Sequence, residues 1–201
     1  MNHEPFRTAL MAAWGVIFPI MAYHRIRSQT TREPLDRRQE GAFILLTLRP
    51  IGLTYMALAV LYVVNPHRLP WAFVPLPDAV RWTGIALVAA AGVLLLWTLR
   101  SLGKNLTDTV VTRKAHTLVT QGPYRWVRHP FYDCVGLIDI GTALAAANWV
   151  LLVLGTAVFA LLAVRLRTEE ANLLARFGES YERYRAATGR FLPRIRPAGR
   201  P

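Results

Sequence analysis

Only one cysteine, Cys134, occurs among 201 residues, so the chain forms no internal disulfide and holds no thiolate cluster for a structural metal. Acids are scarce as well. Twelve Asp and Glu stand against 24 Lys and Arg, a net charge of +12, and only two of those bases, Lys104 and Lys114, are lysines. Charged residues of both signs make up 18% of the chain, whereas 53% is hydrophobic and mean hydropathy is +0.27. That balance is too apolar for a soluble domain of this length. The sequence also lacks a Walker loop, a glycine-rich dinucleotide fingerprint, a G-x-S-x-G elbow and an H-E-x-x-H pair, which removes most hydrolase and redox chemistries. Its five histidines, at 3, 24, 67, 116 and 129, are spread over the chain and predict no metal site.

What remains is hydrocarbon with arginine between the runs. Apolar blocks cover about 8–23, 41–64, 79–99, 131–147 and 149–164, close to the ~20 residues a helix needs to cross a bilayer. They predict an all-α, polytopic membrane helical bundle of about five transmembrane helices, a single integral membrane domain over 1–201 with membrane lipids around it. The last two blocks are short and joined by "AANW", which suggests a tight helical hairpin. The N-terminus lacks the basic start and cleavage site of a signal peptide and reads as a retained first span.

Arginine placement sets the topology. Segments 24–40, 100–129 and 165–201 are rich in it, whereas the N-terminus has Arg7, loop 65–78 has Arg68 and the turn at 148 has none. Five spans put the three basic segments on one side, so the positive-inside rule predicts the N-terminus outside and the C-terminus and active site in the cytoplasm. Charge used this way argues against a nucleic-acid partner. Residues 165–188 carry Leu166, Leu173, Leu174, Phe177, Tyr181 and Tyr184 at helical spacing, which predicts an amphipathic surface helix with a break at Gly178.

Two polar concentrations are candidates for chemistry. The stretch "GPYRWVRHPFYDC", 122–134, follows a long polar connection and leads into the fourth block; Pro123 favours a turn, and Pro130 suits the first turn of a helix. Such a helix mouth offers backbone N–H groups to an anion. His129, Tyr124, Trp126 and Tyr132 are equally readable as interface anchors, and Arg125 and Arg128 as topology determinants. The second is "RTEE", which places Glu169 and Glu170 just after the last span, either on a solvated face with an Arg165–Glu169 pair or against the arginine-rich loop. Arg49 and Asp139 fall inside apolar blocks, where charges pair with each other or line a substrate path.

The stretch "HTLVTQGPYRWVRHPFY", followed some forty residues later by "RTEEANLLARFGESYERYRAATGRFLP", resembles the isoprenylcysteine carboxyl methyltransferase family, with related phospholipid methyltransferases sharing R-H-P-x-Y. The resemblance spans about 100–193. It implies an integral membrane enzyme that transfers a methyl group from S-adenosylmethionine to a lipophilic small-molecule or lipidated substrate, with 1–99 as N-terminal transmembrane helices and 100–201 as methyltransferase core. By position it implies cofactor contacts at His116, Thr117, Leu118, Val119, Tyr124, His129, Pro130, Phe131, Tyr132 and Glu169. Arg165 matches a catalytic arginine that orients a substrate carboxylate, and Arg49 is the second substrate-binding candidate. An amine acceptor would instead need a base, for which Glu170 or His129 is available. Transport or a scaffold role is the non-enzymatic alternative, favoured by Arg49 and Asp139. One departure stands out: family members read R-H-P-x-Y-x-G, and here Asp133 and Cys134 follow Tyr132.

Overall fold

The protein is described from a computed structural model, over residues 2–29, 42–103 and 117–194. Six α-helices occur among these residues: α1 Glu4–Gln29, α2 Ala42–Val64, α3 Asp78–Leu102, α4 Pro130–Ala146, α5 Trp149–Phe177 and α6 Glu179–Ala187. No strand longer than an isolated bridge occurs among them. α1, α2, α3 and α5 are long and apolar enough to cross a membrane. Their outer faces are hydrocarbon, with Leu46, Leu53 and Val93 among the side chains left exposed. Such a surface is stable against lipid and unfavourable in water, and the chain is an integral membrane protein.

Local chemistry accounts for most boundaries. α3 opens with Asp78 after Pro77 and closes at Gly103, whose φ of 55° is cheap only for glycine. α4 has Pro130 in its first turn, where the missing N–H costs nothing, and ends on Ala147 at φ 52°. Asn148 then caps α5 by accepting from the Leu151 N–H. The "AANW" hairpin is thus as tight as the sequence suggests. Its arms are unequal, because α4 has 17 residues and α5 has 29, roughly 26 and 44 Å at 1.5 Å per residue. α5 therefore runs from the apolar block straight through "RTEE" and stops at Gly178. The surface helix expected over 165–188 is the end of α5 plus the short α6, divided at the glycine.

The three arginine-poor segments meet at one end of the bundle. Val74 N–H donates to Ala147 O at 2.9 Å, and the Trp149 indole donates to Trp71 O at 3.4 Å. Arg81, a charge inside the third apolar block that the sequence reading did not single out, ties this end together. It is 1% exposed and donates to Ala145 O at 3.1 Å, to Asn2 O at 2.8 Å and to the Tyr62 hydroxyl at 3.3 Å, with its guanidinium 3.6 Å over the Phe6 ring. A buried guanidinium is tolerable because these acceptors replace its water. The Arg49–Asp139 pair does not organise the middle of the bundle. Asp139 is buried and the Tyr55 hydroxyl points to its backbone oxygen at 3.5 Å, whereas Arg49 lies on the exposed surface of α2.

α3 and α4 are in backbone contact. A Cβ at Gly84 would lie 2.6 Å from both Ala145 N and Gly141 O, and one at Gly141 would lie 2.7 Å from Gly84 O. Small residues facing each other are how membrane helices gain packing where no hydrophobic drive separates helix from lipid. Gly84→Ala forces the helices apart and is expected to cost about 1–3 kcal/mol, measured as a drop of several degrees in the thermal unfolding midpoint in detergent. Gly15→Ala in α1 meets nothing within 4 Å and is expected to hold or raise that midpoint. Equal effects from the two changes would refute the close contact.

Candidate active site

The motif loop and the end of α5 converge at the opposite end, on Glu170. This carboxylate is 7% exposed. One oxygen accepts from Arg128 Nε at 3.0 Å and faces His129 Nε2 at 3.1 Å, and the other accepts from Arg190 at 2.6 Å. The bond to Glu170 raises the Arg190 pKa, so that cation stays charged at any working pH. Arg128 reaches further, donating from Nη1 to the backbone oxygens of Arg185 and Thr188. One buried acid thus holds the motif loop, the C-terminal end of α6 and the segment after it.

That segment, residues 188–193, lies along the motif loop as a strap. Arg128 N–H donates to Gly189 O at 2.9 Å, His129 N–H to Arg190 O at 3.2 Å, and Gly189 N–H to Trp126 O at 3.3 Å. Gly189 has no room for a side chain, since a Cβ would overlap Leu192 O. The mouth of α4 is consequently less open than its sequence implied. The N–H groups of Arg128 and His129 are taken by the strap, and those of Tyr132 and Asp133 turn back onto His129 O.

Glu169 occupies the neighbouring position with spare capacity. Its Oε2 accepts from the Tyr132 hydroxyl at 2.7 Å, while its Oε1 lies 4.0 Å from His129 Nδ1, outside hydrogen-bond range. The imidazole is therefore placed between two acids and stacks on the Tyr132 ring at 5.8 Å with a 14° tilt. Tyr124 is buried, its carbonyl accepting from the Tyr184 hydroxyl at 2.7 Å. Burial and then the charge of Glu169 push its own hydroxyl pKa up, so it remains a neutral donor. Arg165, one turn before Glu169, is near enough to Tyr132 to act on it electrostatically.

The structure brings Tyr124, His129, Tyr132, Arg165 and Glu169 into one neighbourhood. Pro130 and Phe131 serve differently: Pro130 lines a cavity, and Phe131 packs with Leu162 and Leu166. Thr117 is exposed, and Leu118 and Val119 are half-buried just before the turn; His116 lies outside the described residues. Arg49 is outside the cluster, although its neighbours Leu48 and Ile51 pack against the same hydrophobic group as Tyr132. Sequence reasoning undervalued Arg128, which it read as a topology determinant, and it gave no role to Arg190 or Thr188. The signal available was the excess of arginine around a single acid pair.

Beside this cluster is a cavity of about 630 Å³ between α3, the motif turn, α4, α5 and the strap. Leu94, Trp126, Leu137, Phe159 and Phe191 give it an apolar lining. The two residues that depart from the expected motif part company here. Cys134 is fully buried against Thr98 of α3, with Sγ 4.0 Å from Oγ1, whereas Asp133 lines the cavity.

Comparison with known proteins agrees with this layout. Residues 83–175 match the profile described as the isoprenylcysteine carboxyl methyltransferase (ICMT) family. A protein-S-isoprenylcysteine O-methyltransferase of Schizosaccharomyces pombe is 35% identical over 96 residues, 46% of this chain and 41% of that protein. The cobalt-zinc-cadmium resistance protein CzcN of Cupriavidus metallidurans is 36% identical over 111 residues, 50% of each chain. The solved structure of the eukaryotic intramembrane Ras methyltransferase ICMT superposes with a TM-score of 0.54 at 20% identity, covering 93% of this chain and 68% of that one, which shows a shared fold. The present chain spans about two fifths of the length of the first curated relatives it matches. The ICMT match begins in α3, earlier than the motif resemblance, and ends within α5, so α6 and the strap lie beyond it.

The Glu170 cluster predicts a sharp difference between adjacent acids. Glu170→Ala strands the buried Arg128 charge and is expected to cost about 3–5 kcal/mol, or to prevent recovery of folded protein from detergent. Glu169→Gln keeps an acceptor for Tyr132 and is expected to stay within about 1 kcal/mol of the parent. Thermal unfolding of both variants checks this; a harmless Glu170→Ala would show that the cluster does not hold the fold.

Proposed function

We propose that this protein is a membrane methyltransferase that uses S-adenosylmethionine to methylate the carboxylate of a lipophilic substrate, a small molecule or a lipidated peptide. The observation that carries the reading is Glu169, a half-buried carboxylate bonded through one oxygen to Tyr132 and with the other open to a donor, set beside an apolar cavity. A cofactor with amino and ribose hydroxyl donors fits that open oxygen. S-adenosylmethionine, when bound, supplies a methyl group already activated on a sulfonium.

The residues have separate tasks under this reading. Glu169 accepts hydrogen bonds from the cofactor, Tyr132 keeps its carboxylate oriented, and His129, held by Glu170, stands beside it as a further cofactor contact. The faces of Tyr124 and Tyr132 favour a cation by about 0.5–2 kcal/mol each. By the resemblance, Thr117, Leu118 and Val119 contact the cofactor, and His116 carries the same expectation outside the described residues. Pro130 and Phe131 seat the fourth helix beside it. Arg165 orients the acceptor carboxylate, which arrives ionised and needs no base. Residues 100–201 then act as the catalytic core and 1–99 as its membrane frame, with Arg49 at the lipid-facing edge.

The two residues available as bases for an amine acceptor are already engaged. Glu170 is bonded to Arg128 and Arg190 and faces His129, and the imidazole lies between two acids. Neither is placed to collect a proton, which favours the carboxylate acceptor over an amine. The transport reading loses one of its two supporting features, since Arg49 lies on the exposed surface of α2.

Titration calorimetry on detergent-solubilised protein is expected to show S-adenosylhomocysteine binding, weakened about tenfold or more by Glu169→Ala, as loss of a charged hydrogen bond requires. Methyl transfer to an acceptor carboxylate gives a base-labile product, and Arg165→Ala should raise KM for the acceptor while leaving S-adenosylhomocysteine binding unchanged. No binding, or a base-stable product, would refute the proposal. The site is assigned to the cytoplasmic face. In a Cys134→Ser background, Asn2→Cys is expected to label from outside and Arg200→Cys is not; the reverse pattern overturns the orientation.

A further inference from the structure

Three groups share the Glu170 carboxylate unevenly. Oε1 serves both Arg128 Nε at 3.0 Å and His129 Nε2 at 3.1 Å, whereas Arg190 of the strap takes Oε2 at 2.6 Å. An arginine and a carboxylate pair best fork to fork, with two parallel N–H···O bonds to the two oxygens. Arg128 has the second donor for such a pair. Its Nη2, on the same edge of the guanidinium as Nε, bonds to no described residue, while Nη1 is turned to the backbone oxygens of Arg185 and Thr188. The fork stays incomplete because Arg190 occupies Oε2.

His129 depends on that incompleteness. A carboxylate turned to present both oxygens to Arg128 draws Oε1 away from the imidazole. With Oε2 held by the strap, Oε1 keeps a lone pair directed at Nε2. The imidazole in turn stacks on Tyr132 at 14°, and Tyr132 donates to Glu169 at 2.7 Å. A connected path thus runs from the strap through Glu170 to the two rings beside the open oxygen of Glu169.

This path is separable from holding the fold together. The Arg190 side chain is 44% exposed, whereas Arg128 and Glu170 are buried. An ion pair with one partner that open adds little to stability. The strap is also tied by backbone bonds between Arg128 and Gly189, His129 and Arg190, and Gly189 and Trp126, none of which uses the Arg190 side chain. Loss of that guanidinium leaves the strap and the buried Arg128–Glu170 pair in place and changes which way the carboxylate faces.

We infer that Arg190 is a positioning residue: by occupying Oε2 of Glu170 it keeps Oε1 on His129 and so fixes the imidazole beside Glu169. The strap is then a working part of the site, although it lies beyond the matched residues 83–175. The consequence for cofactor binding rests on the methyltransferase reading; the placement of the ring does not.

The test compares the parent with Arg190→Ala and Arg190→Lys in detergent. Three quantities are measured: the thermal unfolding midpoint, the rate at which diethyl pyrocarbonate modifies His129, followed by mass spectrometry, and S-adenosylhomocysteine affinity by titration calorimetry. His67, exposed at the opposite end of the bundle, is the internal reference for reactivity. Arg190→Ala is expected to keep the midpoint within about 2 °C of the parent. It is expected to speed His129 modification relative to His67 by about tenfold and to weaken S-adenosylhomocysteine binding by about tenfold, the worth of one hydrogen bond to a charged group. Arg190→Lys returns an N–H donor to Oε2 and brings both quantities back to within about threefold of the parent. Unchanged His129 reactivity in Arg190→Ala, failure of lysine to restore it, or a fallen midpoint with His67 and His129 speeded alike overturns the inference. Where the parent binds S-adenosylhomocysteine, equal affinity in Arg190→Ala overturns it too. If His129 responds as expected but no protein binds S-adenosylhomocysteine, the methyltransferase reading fails and the positioning of His129 by Arg190 stands.

Discussion

The site end of this protein depends on one buried acid. Glu170 sits on α5, yet its partners come from the motif loop, through Arg128 and His129, and from the C-terminal strap, through Arg190. Removing a charge from water is expensive, and the cost is offset only if charged donors fill the acceptor sites at good geometry. Here three donors from two other segments do so. The loop has one short 3-10 turn, Gly122–Arg125, and shares only an isolated bridge, Val127 with Gly189, with the strap, so the acid adds to those few backbone bonds the anchorage that longer ladders give elsewhere.

The consequences extend past the cluster itself. Because the strap also forms the wall of the cavity with Phe191, Leu192 and Pro193, the acid that orients His129 positions that wall as well. Adjacent acids on one helix therefore divide their work by direction. Glu170 points inward and is saturated; Glu169, 100° around α5, keeps an oxygen open. The sequence shows only a pair of identical residues.

How much of this was legible follows from how local each cause is. The turn at Pro123, the helix start at Pro130, the tight "AANW" hairpin and the break at Gly178 all come from proline, glycine and asparagine acting on their own backbone, and they could be read directly. The grouping of the arginine-poor segments was readable because it depends on charge sorting between whole loops. Arg81 was not, since its acceptors are backbone oxygens from Asn2 and Ala145 that no residue pattern announces. The same holds for the strap: Gly189 and Arg190 owe their roles to carbonyls and amides facing the loop. The pairing of Arg49 with Asp139 failed for a related reason, because two opposite charges in apolar runs suggest a bond only if the helices present them at the same depth, and Tyr55 is what α2 presents to Asp139.

The departure at residues 133 and 134 shows how a helix separates two consequences of one local change. Successive residues point about 100° apart, so a pair of substitutions in the first turn of α4 faces two different neighbours. Cys134 turns to α3, where a side chain larger than glycine sits against Thr98 and adds apolar contact to an interface that is otherwise closed by Gly84 and Gly141. Its effect is on helix packing alone. Asp133 turns to the cavity and adds an acid to a lining that, Thr156 apart, is apolar or aromatic among the described residues. A membrane protein can carry such a charge at the wall of a cavity far more cheaply than on a lipid face, because a polar ligand or water can reach it there. Of the two changes it is therefore the acid that faces the cavity, and it does so while leaving the Glu169 and Glu170 cluster as it is.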